Sequence, residues 1–222
     1  GDKLAIIGEE GNGKSTLLKS LLGICEYANI EGNINFKGNR VGYLEQAISK
    51  ENLQKQVSDF LFINEFDYYE KVNDFYKYLN KINLDDTALN QTISTLSGGE
   101  KVKISILKLL LDNPDILFLD EPTNDLDIET LEWLESFINT TDKPIIYVSH
   151  DEVLLSNTAN MILHLEQIRK KTVARCTLLK VDYDTYVESR LRGIDKQTQI
   201  AKKEKRDFKK HQEKLNQVMQ KV

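Results

Sequence analysis

The run Gly8-Glu9-Glu10-Gly11-Asn12-Gly13-Lys14-Ser15-Thr16 ends a glycine-rich segment in Gly-Lys-Ser, with four residues between Gly8 and Gly13. That order suits one chemistry. Glycines let a backbone turn tightly and aim successive N–H groups inward, and a concave row of such donors binds phosphate oxygens. A helix opening at Lys14 adds its positive end, and the lysine reaches outer phosphates. We read a nucleoside triphosphate loop built from Gly8, Glu9, Gly11, Asn12, Gly13 and Lys14. Ser15 offers a hydroxyl to magnesium, and Thr16 supports the inner phosphates. A dinucleotide fingerprint lacks the Gly-Lys-Ser ending.

Further polar residues stand where apolar runs stop. In "DILFLDEPTND", Ile116 to Leu119 form a buried strand that delivers Asp120 and Glu121 at its carboxyl end, where ligands of open parallel sheets gather. Asp120 is placed to hold magnesium through water, and Glu121 to polarise an attacking water. "IIYVSHDE" repeats the pattern with Ser149, His150 and Asp151. A histidine at a strand mouth is ordinarily a surface hydrogen-bonder; beside the other two elements, His150 is a candidate to contact the terminal phosphate. "RVGYLEQ" ends in Gln46, which could meet either magnesium or the attacking water.

These residues require an α/β scaffold. Strands are expected near 4–8, 30–36, 40–44, 116–120, 145–149, 161–165 and 172–179, and helices near 14–22, 52–62, 68–80, 98–111, 128–139 and 151–156. Glycine-bearing turns in "IEGNINFKGNRVGYL" suggest an antiparallel edge there. Asn113-Pro114 ends the helix before the acidic strand. The faces carrying Val57, Phe60, Leu61, Phe75, Tyr78 and Leu79 are expected to be core of a helical subdomain. A first strand starting near residue 4 leads us to expect further strands upstream.

With 222 residues, 40% hydrophobic and 29% charged, the chain has the composition of a globular protein with one sizeable core. It contains no apolar run long enough to span a membrane, and its start resembles no signal peptide. Cys25 and Cys176 show no metal-ligand spacing and are expected to be reduced and structural, as in a cytoplasmic protein. The net charge of −5 is uneven: residues 190–222 carry 11 Lys/Arg against 4 Asp/Glu, and the rest 19 against 31. A generally basic nucleic-acid binder is excluded, but the tail needs its own account.

Between the two strand-end clusters lies "LSGGE", Leu96 to Glu100, and here the chain resembles the nucleotide-binding domains of ABC proteins. The likeness extends over nearly all of residues 1–165. It consists of the phosphate loop, Gln46, the signature Leu96-Ser97-Gly98-Gly99-Glu100, the acids Asp120 and Glu121, the D-loop Asn124-Asp125-Leu126-Asp127, and His150. It implies a P-loop NTPase core with antiparallel edge strands and a helical subdomain at about 50–112. The implied activity is hydrolysis of ATP with Mg2+. Glu121, His150 and Gln46 would serve catalysis, and Ser15, Asp120 and Gln46 the metal. In that family two domains pack head to tail, so the signature would cover a second domain's nucleotide.

Glu100 in the signature, Asn124 in the "EPTN" form and the run "DEPTNDLDIETLEWLESFI" resemble the F subfamily. That likeness implies a cytoplasmic ATPase with two such domains in one polypeptide, acting on ribosomes, of an antibiotic-resistance or ribosomal-protection type. The alternative is the ATP-binding subunit of a membrane transporter. We therefore expect a nucleotide-binding domain at 1–186 and a basic helical linker at 187–222, without direct membrane insertion. A stripe through Leu191, Ile194, Phe208, Leu215 and Met219 suits one helix of an antiparallel pair. Its lysines would face outward, toward solvent or toward ribosome and tRNA phosphates.

Overall fold

The computed structural model describes residues 1–82, 84, 86–168 and 173–193. Short apolar runs pair into one six-stranded sheet of order β2-β3-β4-β1-β5-β6. The strands are β1 (Lys3–Ile7), β2 (Val41–Leu44), β3 (Ile116–Asp120), β4 (Ile145–Val148), β5 (Met161–Ile168) and β6 (Val173–Leu179). All neighbours are parallel except β5 and β6. The carboxyl ends of β1, β3 and β4 therefore open on the same edge, and the residues following them form one site.

Period-two alternation gives the sheet two apolar faces. Ile6, Phe118 and Val148 point to one side and pack with Leu18 of α1 (Lys14–Leu21). Ala5, Leu117, Leu119 and Tyr147 point to the other. There they meet Leu134 and Ile138 of α6 (Ile128–Thr140) and Leu154 of α7 (Glu152–Thr158).

A second core forms where α2 (Lys50–Leu53), α3 (Val57–Leu61) and α4 (Glu65–Ile82) meet α5 (Gly98–Leu111). Val57, Phe60, Leu61, Phe75 and Leu79 are buried there, as expected, and Tyr78 packs against both cores. Helix α5 serves both: Ile104, Leu107 and Leu111 face the helical core, while Ile106 and Leu110 face the sheet. The helical subdomain is thus fixed to the sheet through a helix that starts in the signature.

Three sequence expectations are corrected. Residues 30–36 form no strand, and β2 joins β3 in parallel, so the expected antiparallel edge is absent from that segment. Ile30 and Ile34 are exposed there, and among the described residues no neighbouring strand supplies the ladder hydrogen bonds that would hold an extended run. The helix expected over 52–62 is two short helices. Between them Gln56 is extended and bridges Thr92, with Val57 N–H donating to Gln91 and Lys55 C=O accepting from Ile93. The helix expected from residue 68 begins earlier, where Asn64 Oδ1 accepts from Asp67 N–H at 3.0 Å.

Residues 183–193 are helical, and Tyr186 is buried in the sheet-side core. The Tyr186 hydroxyl lies 3.0 Å from His164 Nδ1, and Arg190 pairs with Glu166, so this helix is held against β5. Burial lowers the His164 pKa. The start of the expected linker lies in this helix; the stripe beyond Gly193, with Phe208, falls outside the described residues. Cys25 and Cys176 are both unpaired; Cys176 is exposed on β6, so a packing role is not its reason for being there. Among the described residues no helix is long and apolar enough to cross a membrane.

Phe75 is fully buried against Phe62 and Tyr76. Truncation by Phe75→Ala should cost about 3 to 5 kcal/mol in urea unfolding monitored by circular dichroism. A loss below about 1 kcal/mol would show that the helical core is not packed as described.

Candidate functional site

The glycine loop leaves β1 and enters α1 through backbone that favours glycine. Gly11 and Gly13 have φ of 80° and 84°, conformations that a side chain disfavours. Gly8 answers to space as well: a Cβ there would stand 2.4 Å from the Leu165 carbonyl oxygen on β5. Asn12 fastens the loop to the same place, its Nδ2 donating to Leu165 O at 3.0 Å. The loop is therefore braced against β5, a contact that chain order alone does not reveal.

Lys14 is buried and its Nζ donates to the carbonyls of Gly8 and Glu9 at 3.0 and 3.1 Å. The ammonium lies inside the loop's own curve, its donors spent on weak acceptors that an anionic oxygen would outcompete. Glu9 in the loop and Thr16 in the first turn of α1 are exposed.

Alternation along β3 turns Asp120, like Phe118, toward α1. Its side chain is wholly buried at 0% exposure. Ser15 Oγ donates to Oδ1 at 2.7 Å, and the hydroxyl of Tyr43 on β2 donates to Oδ2 at 3.0 Å. Burial first, then the nearby Asp120 charge, raises the Tyr43 pKa, so the tyrosine remains a donor. Among the described residues no basic side chain forms an ion pair with Asp120. A buried carboxylate held by neutral hydroxyls alone suits a cation among its oxygens. A hydroxyl and one carboxylate also fit magnesium, which keeps most of its waters and takes few protein ligands. Among the described residues no cluster of three or more His, Cys, Asp or Glu forms a metal cage of another kind.

Glu121 follows in left-handed backbone, φ 49°, with its N–H donating to Val148 O at 3.0 Å. Such a conformation is costly for a residue with a side chain and recurs at functional positions. It turns the Glu121 carboxylate away from the strand toward the mouth of β4. There Oε1 lies 3.4 Å from His150 Nε2, and Oε2 accepts from Asn124 at 3.4 Å. Glu121 and His150 are thus brought together, as their places at neighbouring strand ends required. Ser149 and Asp151 have local roles. Asp151 caps α7 by accepting from Leu154 N–H at 2.9 Å, and Ser149 Oγ accepts from Asp151 N–H at 3.0 Å.

Gln46 is exposed and does not meet Asp120; Tyr43, three residues earlier, does. Gln46 instead lines a groove of about 430 Å³ with Gly98, Lys101, Asn124 and Asp125. Tyr43 is the residue that sequence reasoning missed. Its signal was faint: a hydroxyl on the strand before Gln46, visible as relevant only once β2 is paired with β3 in register Tyr43↔Phe118.

The signature opens α5 with reciprocal caps. Glu100 N–H donates to Ser97 Oγ at 3.2 Å, and Ser97 N–H donates to Glu100 Oε2 at 2.8 Å. Leu96 is buried in the helical core. The two glycines have a reason inside the chain. A Cβ on Gly98 would lie 2.6 Å from Asp125 O, and one on Gly99 would lie 2.3 Å from Thr130 Oγ1. Asp125 is itself left-handed at φ 59°. Asp127 caps α6 by accepting from Thr130 N–H at 2.8 Å. Hydrogen bonds from the Thr130 side chain and then its backbone hold the Asp127 carboxyl below the usual range. Signature and D-loop are therefore packed backbone to backbone, with Leu126 tucked against the sheet-side core.

Compared with known families, residues 1–124 match the one described as ABC transporter. The ATP-binding protein Uup of Buchnera aphidicola subsp. Acyrthosiphon pisum is 32% identical over 232 residues, covering 100% of this chain and 37% of that protein. ABC transporter F family member 2 of Arabidopsis thaliana is 31% identical over 208 residues, covering 91% and 30%. Among solved structures, an archaeal ribosome recycling factor, aABCE1, in complex with the ribosomal stalk protein aP1 superposes with TM-score 0.66 at 25% identity. That match covers 85% of this chain and 37% of the other. The chain thus spans between 30% and 37% of the length of each of these three proteins.

Contact between Gly99 and Thr130 is open to test by a paired substitution. Gly99→Ala alone should lower stability by about 1 to 3 kcal/mol, measured by urea unfolding. Adding Thr130→Ala, which removes the nearest atoms, should return part of the loss beyond simple additivity. Strict additivity would mean that the two residues do not touch.

Proposed function

This chain belongs to the ABC transporter family as a nucleotide-binding domain of its F type, and from that premise we propose that it binds ATP with magnesium and hydrolyses it, acting on the ribosome as one half of a two-domain ATPase. The observation that carries the reading is the buried Asp120 carboxylate, linked to Ser15 at the foot of the glycine loop, with Glu121 and His150 together just beyond it.

Chemistry of this class is mostly positioning and charge stabilisation. Loop amides from Gly8 to Ser15 cradle the phosphates, and Lys14 exchanges the carbonyls of Gly8 and Glu9 for phosphate oxygens. Ser15 and Asp120 would hold magnesium, which when bound neutralises charge on the outer phosphates. Glu121 orients the attacking water and accepts its proton, and His150 faces both Glu121 and the terminal phosphate. Gln46, on the groove beside the D-loop, would meet magnesium or the attacking water near that phosphate.

The signature, Leu96 to Glu100, faces the nucleotide of a second domain. The reciprocal cap on α5 fixes the open end of that helix, whose N–H groups favour an anion. The D-loop, Asn124 to Asp127, packs beneath it and passes closure of the pair to the acids of β3. The partner domain lies in the same full-length chain, as the lengths of the relatives support. Ribosome and tRNA phosphates are met through the basic segment of residues 190–222, in a cytoplasmic protein of ribosomal-protection type. The archaeal recycling factor's complex with a stalk protein and the charge of that segment support this role.

In the full-length protein, Glu121→Gln should slow phosphate release by about 100-fold or more while nucleotide affinity stays within a few fold. Unchanged turnover would remove Glu121 from the chemistry. The same variant, trapped with ATP, should sediment with ribosomes and be released as salt is raised. If it stays in the supernatant at low salt, the ribosomal role is wrong even where hydrolysis is right.

A further inference from the structure

We propose that Tyr43 is a positioning residue for the cation site, its hydroxyl fixing the second oxygen of Asp120 so that the first stays aimed at Ser15. The inference rests on the ATP–magnesium reading of that site and adds a residue to it. Tyr43 sits on the edge strand β2, in register with Phe118, two residues before Asp120 on the same face of β3. Its ring packs with the α1-side core beside Phe118. A phenylalanine would serve that packing, so the hydroxyl needs a separate reason. It finds one in Asp120 Oδ2, at 3.0 Å.

The carboxylate depends on that bond for its orientation. Rotation of a carboxyl group about its last torsion is soft, so an aspartate tied at one oxygen swings. Here two hydroxyls from two elements, α1 and β2, tie both oxygens and set the plane. The two donors are not equivalent. Ser15 is also a ligand in the proposed site: its oxygen gives a lone pair to the cation while its proton stays on Asp120, so its position answers to the metal as well as to the carboxylate. Tyr43 has no such second duty, so its bond holds the carboxylate plane whether or not the cation is bound. Loss of the hydroxyl should therefore be felt in the magnesium-dependent part of nucleotide binding, not in nucleotide binding as such.

The test is a Mg2+ titration of the full chain at fixed fluorescent ATP analogue, comparing wild type with Tyr43→Phe and Tyr43→His. For Tyr43→Phe the half-saturating Mg2+ should rise about tenfold, as for loss of one hydrogen bond to a charged group. Its nucleotide affinity in chelator should stay within twofold. Tyr43→His, whose ring N–H falls well short of the phenol oxygen's position, should show the same rise in half-saturating Mg2+. An unchanged Mg2+ midpoint in a folded Tyr43→Phe protein overturns the proposal. So does equal weakening with and without Mg2+, which marks a merely structural hydroxyl. Should Tyr43→Phe fail to fold, Tyr43→His decides alone: an unchanged Mg2+ midpoint there overturns positioning by the hydroxyl. Wild-type protein that binds nucleotide without any response to Mg2+ refutes the metal reading itself, and this inference falls with it.

Discussion

A carboxylate with no exposed surface, at the end of a central strand, dictates much of this structure. An ionised group loses hydration on burial and must recover it from designed partners. Asp120 recovers it from Ser15 and Tyr43, and to do so it needs three elements in register: β3 to carry it, α1 to bring the serine and β2 to bring the tyrosine. The glycine loop is what lets α1 start at the right place, and Leu165 on β5 braces that loop from the other side. Strands from β2 at one edge of the parallel set to β5 at the other are thereby tied to one atom group. A local chemical requirement becomes a constraint on the whole sheet.

A second constraint links this site to the helical subdomain. Helix α5 gives apolar side chains to both cores, so the subdomain cannot shift without moving the helix that begins in the signature. At its start, α5 lies so close to the D-loop and α6 that Gly98 and Gly99 leave no room for a Cβ. The D-loop in turn follows Glu121 by only three residues, and Asn124 bonds to that carboxylate. Signature, D-loop and the Glu121–His150 pair are thus neighbours through a close backbone contact and a hydrogen bond of 3.4 Å. Such an arrangement suits a domain whose two kinds of site, one its own and one offered to a partner, must respond together.

What the sequence disclosed, and what it hid, follows from how local each feature is. The glycine loop, Asp120 and Glu121 were legible because strand, turn and helix are contiguous and the chemistry sits at their joints. That Glu121 and His150 both sit at strand mouths was legible from two strands ending alike, whereas their contact was not, because it needs β3 and β4 to be neighbours. The segment 30–36 misled because alternating Ile30, Ile34 and Phe36 look like a strand, whereas a strand also needs a partner that no local pattern supplies. The helix over 52–62 broke because Gln56 pairs with Thr92, distant in sequence. Tyr43 stayed hidden for the same reason: its role is set by cross-strand register. The signature with Gly98 and Gly99 is expected from the resemblance to cover a second domain's nucleotide; the structure adds a reason within the chain, since Asp125 and Thr130 leave no room for a Cβ at either glycine. Residues beyond 193 rest on charge and periodicity alone.

If the loop, Ser15 and Asp120 together form a site for a nucleoside triphosphate and its metal, calorimetric titration of ATP into the full chain, with magnesium and again with excess chelator, will reveal it. Saturable binding at a single site is expected, weakening markedly when magnesium is removed and lost in Lys14→Ala. Absence of saturable heat with magnesium present, or binding indifferent to Lys14, would contradict it.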